Sequence, residues 1–119
     1  MKPKLSIIAG VITIAWIALP AQAVPVSVLE NRSKAIVYLA GMTCLLNSGK
    51  VSKKVLDEFT FEYLERNPDI KTAVLWVSSN AKAQSAVGAV VPYLNSNCVG
   101  YKPESREILQ ELLLPLLNH

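Results

Sequence analysis

Apolar and polar positions change their rhythm several times along these 119 residues. From Leu5 to Leu19 there is no charge at all. After Pro25 the apolar residues recur every three or four positions, the spacing of a helix with one buried face. Val28, Ala35, Leu39, Met42 and Leu46 form the first such stripe, and Gly49 is placed to end it. Ser27 followed by Glu30 has the form of a capping box, so the helix is expected to start there.

Ser52 is expected to cap a second helix, with Val51 able to staple onto Leu56. Val55, Leu56, Phe59 and Tyr63 share its apolar face, while Asp57, Glu58, Glu62 and Glu65 take the other side. Asn67-Pro68 ends this helix, because the residue before proline resists the helical region. The same Asn67-Pro68-Asp69 is a good start for a third helix. Ile70, Val74, Val77 and Ala81 continue one stripe there, and Leu75 and Trp76 fall outside it. A helix apolar on several sides is expected to be the buried central one.

Ser78-Ser79-Asn80 breaks or loosens that helix, and small residues then dominate from Ala81 to Val91, which predicts close packing against the other helices. Pro92 kinks or restarts the chain, and Asn95 to Gly100 reads as a helix end and turn. Pro103-Glu104 opens a last helix, which Pro115 bends or stops near Leu114. The nearest rivals for strands are Ala35 to Leu39 and Val87 to Val91, and neither alternates for long enough. The fold expected is all-α: a small four- to five-helix orthogonal bundle over residues 24–119, one domain, preceded by a cleavable signal peptide.

The leader reading rests on order. Lys2 and Lys4 precede the apolar run, Pro20 follows it, and Ala21-Gln22-Ala23 places small residues before a cut expected ahead of Val24. The apolar run is shorter than the roughly 20 residues a spanning helix needs. Removing it also changes the charge argument. The chain carries +3, but without Lys2 and Lys4 the remainder has 10 cations against 9 acids. No clustered basic footprint for nucleic acid remains, and no stable membrane span is expected after cleavage.

Export carries Cys44 and Cys98 to a compartment where disulfides persist, so they are expected to pair and staple the domain. The protein is expected in the periplasm or outside the cell. Two cysteines and the terminal His119 cannot supply four metal ligands at a recognised spacing, so no metal or other cofactor is expected. His119 has nothing to preorganise it as a catalytic base, and no catalytic residue is assigned. Glu58 and Glu62 could serve an acid-base pair or a ligand site. Lys54 with Glu58 and Glu62 with Arg66 have the spacing of solvated helix pairs instead.

Two features point outward. Phe61 falls among Asp57, Glu58 and Glu65 on the polar side of the second helix, where it touches either the last helix or a partner. The tail from Ile108 to Leu117 is apolar on too many sides for a lone surface helix, with Leu113, Leu116 and Leu117 as candidate contacts. It serves core packing, or a homodimer seam, a partner groove or a membrane surface.

With the cysteines placed, the layout resembles the HdeA/HdeB family of small periplasmic acid-stress chaperones. The residues that carry the likeness are Met42-Thr43-Cys44 and the stretch from Pro92-Tyr93-Leu94 to Cys98. The resemblance implies a disulfide-bonded helical dimer that exposes apolar surface in acid and holds unfolding proteins. Cys44 late in its helix and the Leu-rich tail depart from that family's pattern. The preferred expectation is a non-enzymatic exported domain that binds another protein, with an acid-activated holdase as the alternative.

Overall fold

A computed structural model describes residues 24–117. The expected leader, including Ala21 and Ala23 at its cleavage site, and His119 lie outside the described residues. Five α-helices follow one another: α1 (Val26–Ser48), α2 (Lys53–Arg66), α3 (Pro68–Ser78), α4 (Ala81–Val90) and α5 (Arg106–Leu113). Short 3₁₀ turns at Val91–Tyr93 and Pro103–Ser105 flank the connection between α4 and α5. The segments Ala35 to Leu39 and Val87 to Val90 are helical, and the only strand-like pairing among the described residues is an isolated bridge, Leu94 to Tyr101. No described helix is long and apolar enough to cross a membrane.

Most helix ends follow local chemistry. Ser52 accepts the amide of Val55 at 3.3 Å to start α2, and Asn80 accepts that of Ala83 at 3.1 Å to start α4. Gly49, at φ 75°, closes α1 with its amide on the Leu46 carbonyl. Pro68 occupies the first turn of α3, and α4 ends before Pro92. The start of α1 departs from expectation. Pro25, not Ser27, stands at the cap, and its carbonyl accepts from Val28 and Leu29. Its fixed φ opens the helix two residues early, which leaves Ser27 inside the first turn.

The buried face of α1 also differs from the expected stripe. Ala35, Ile36, Ala40 and Gly41 are buried, whereas Val28 and Leu46 are exposed. Small side chains let neighbouring helices approach, and α1 therefore packs on α2, α3, α4 and the turn at Val91. This makes α1 the central helix in place of α3. Only Ile70, Ala73 and Val77 of α3 are buried, and Leu75 faces solvent. α4 buries Ala83, Ala86 and Val90, although its other small residues, including Ser85, Gly88 and Ala89, are exposed.

Arg32 ties three elements together. Its guanidinium lies 4.5 Å over the Trp76 ring of α3, and it donates to the Leu117 carbonyl beyond α5. The loop from Leu94 to Tyr101 is closed by Asn95 and Lys102 amides on the Gly100 and Tyr93 carbonyls. It presses onto α1 at Gly41, where a Cβ would stand 2.9 Å from the Cys98 carbonyl oxygen.

That contact gives a test. Gly41→Ala is expected to cost about 1–3 kcal/mol, since the opposing atom is backbone and cannot rotate away. Urea denaturation measures it, and a variant as stable as the parent would show that the loop does not seat on α1 as described.

Candidate functional site

α2 buries little of itself. Of its fourteen residues only Leu56 is buried, with Tyr63 and Leu64 packed partly against the core. Tyr63 stacks on Tyr38 of α1 at 4.5 Å between ring centroids, and Phe59 continues the ladder at 6.5 Å from Tyr63. The Tyr38 hydroxyl donates to Thr60 at 3.2 Å, and burial is the main cause that raises it above the ordinary tyrosine range.

The rest of α2 faces outward. Val55 and Phe59, expected in its apolar face, are 52% and 51% exposed, and Phe61 is 67% exposed. Phe61 forms a shallow cleft with Asp57, Glu58 and Glu62 and reaches no residue of α5 there. Both Glu58 and Glu62 are open to water. Glu62 pairs with Arg66 at 3.8 Å as expected, whereas the expected Lys54–Glu58 pair does not form and Lys53 pairs with Asp57 at 2.7 Å instead. These pairs are solvent-exposed and contribute little to stability. Among the described residues no three metal-ligating side chains gather.

The Leu-rich tail goes the other way. Leu113 and Leu117, expected as candidate partner contacts, are core residues, and Leu116 packs against that core half-buried. Pro115 follows the end of α5, and the turn after Leu113 brings Leu117 inward, where Arg32 holds its carbonyl. Ile108 and Leu114 are the large apolar residues of the tail left exposed.

Cys44 and Cys98 stand at disulfide distance with Cα atoms 5.6 Å apart, joining α1 to the Leu94–Tyr101 loop. Cys98 has φ 65°, a left-handed conformation that few non-glycine residues adopt. Holding it there carries Val99 outward to 69% exposure. Between this loop, α1 and α2 runs a groove of about 410 Å³. Its floor is Tyr38, Gly41 and Leu45, and its walls include Val55, Phe59 and Val99. No charged residue lines it.

The sequence pattern alone does not show this groove, because Val55 and Phe59 share an apolar helical face with Leu56 and Tyr63 and Val99 reads as part of a turn. A signal is present in Phe61, which stands on the polar side of α2, so that no single side of that helix accounts for its large apolar residues. No family model, curated protein or solved structure matches the chain.

The disulfide closes a separation of 54 residues. By the chain-entropy argument a double Cys44→Ser, Cys98→Ser variant is expected to lose about 4 kcal/mol. Denaturant unfolding under non-reducing conditions measures this, and a loss below about 1 kcal/mol would mean that the loop is held by packing alone.

Proposed function

We propose that this chain is an exported, non-enzymatic binding module that engages another protein through the outer face of α2. The observation that carries this reading is the 67% exposure of Phe61, an aromatic ring among Asp57, Glu58 and Glu62 on a helix that buries one residue. An aromatic ring left exposed among charged side chains marks an interaction surface, because aromatic residues are the usual anchors of such contacts. The carboxylates of Asp57, Glu58 and Glu62 beside Phe61 suit a partner that presents basic residues around an apolar pocket.

Export is supported by the order of residues 1–23 and by the cysteine pair, which persists in oxidising compartments. Binding is preferred to catalysis because Glu58 and Glu62 sit in an open, solvated cleft that neither orients nor desolvates an acid-base pair. Acid activation, which the HdeA/HdeB resemblance would imply, has little to act on. All nine Asp and Glu side chains are exposed, so protonation breaks no buried ion pair.

Phe61→Ala is expected to change stability by less than about 0.5 kcal/mol, as at other exposed sites, while abolishing co-purification of a stoichiometric partner from the cell envelope. Retention of that partner would contradict the reading. Capture of many unrelated proteins only after acid shock would favour the holdase instead.

A further inference from the structure

A second cavity, of about 550 Å³, lies between the start of α1 and α5. Leu29, Leu109 and Leu113 line it together with Glu30, Lys34 and Arg106. Val37 lines both this cavity and the apolar groove, and the adjacent residues Gly100 and Tyr101 line one each. The two therefore adjoin at Val37, the second cavity on the N-terminal half of α1 and the groove on the C-terminal half. Lys34 sits on the same helical face as Tyr38, Gly41 and Leu45, at spacings of four, three and four residues.

The cations of the second cavity are not used elsewhere. The ion pairs among the described residues are Lys53–Asp57, Arg66–Glu62 and Lys71–Glu65, so neither Lys34 nor Arg106 takes part in one. Arg106 is the first residue of α5, where a cation gains nothing from the helix dipole. Two exposed cations against Glu30 leave this end of the furrow positive. The other end offers no charge and no free hydrogen-bonding side chain, since the Tyr38 hydroxyl is engaged by Thr60.

We propose that this furrow binds a long-chain fatty acid, with the carboxylate at Lys34 and Arg106 and the hydrocarbon chain laid along α1 toward Leu45 and Phe59. Eleven helical residues separate Lys34 from Leu45, a run of about 16 Å at the helical rise, which suits an extended acyl chain. Carboxylates are held well by charge-assisted hydrogen bonds from Lys and Arg, and the tail needs only apolar cover. This site is separate from Phe61, so it stands or falls independently of the protein-binding reading.

Calorimetric titration of the purified protein with octanoate, decanoate, dodecanoate and dodecanol tests it. Affinity is expected to rise about fourfold for each added methylene, and dodecanol to bind about tenfold more weakly than dodecanoate. Val99→Glu, at an exposed position, is expected to abolish dodecanoate binding without unfolding the protein. Lys34→Gln combined with Arg106→Gln is expected to erase the preference for the carboxylate while leaving dodecanol unchanged. Phe61→Ala is expected to bind dodecanoate like the parent. Absence of binding, affinity independent of chain length, equal binding of dodecanol, or a Val99→Glu variant that binds normally would each overturn the proposal.

Discussion

The close approach permitted by the small residues of α1 sets the geometry of everything around it. Ala35, Ala40 and Gly41 present almost no side chain, so α3, α4 and the Leu94–Tyr101 loop settle against the helix backbone itself. Dense contact of this kind is how a domain of fewer than a hundred residues compensates for a small core. The disulfide from Cys44 then fixes the loop to the same helix three residues, nearly one turn, beyond Gly41. Because the loop is pinned twice, Val99 is carried outward as part of a groove wall instead of collapsing onto α2.

α2 occupies the opposite situation. It is anchored by Leu56 and by the Tyr38–Tyr63 stack, and the remainder of its apolar surface has nothing to cover it. The same two turns of helix, on opposite sides, thus supply both outward-facing features, the groove wall at Val55 and Phe59 and the acid-flanked Phe61. A helix docked by few residues is also the one that can shift to admit a ligand at modest cost.

What could be read from the chain depended on whether the signal was local. Ser52, Gly49, Asn67-Pro68, Pro92 and Pro115 mark ends of helices or turns because capping and proline geometry act over a few residues. The cysteine pairing was legible because two cysteines leave one choice. The buried faces were less so. Apolarity ranks Leu46 and Val28 above Ala35 and Gly41, yet packing selected the small residues, which permit approach. Val55 and Phe59 fit a helical stripe perfectly well, but no neighbouring element arrives to bury them. Leu113 and Leu117 went inside for a reason that is tertiary: the turn after α5 and Arg32 of α1 draw the tail inward.

Native-state hydrogen exchange resolved by residue tests most directly the claim that α1 is the scaffold and α2 the lightly held binding element. The account predicts that amides of α1 and its contacts in α3 and α4 exchange only through global unfolding, while those of α2 exchange through a smaller opening of lower free energy. Equal protection across α1 and α2, both at the global value, would contradict it.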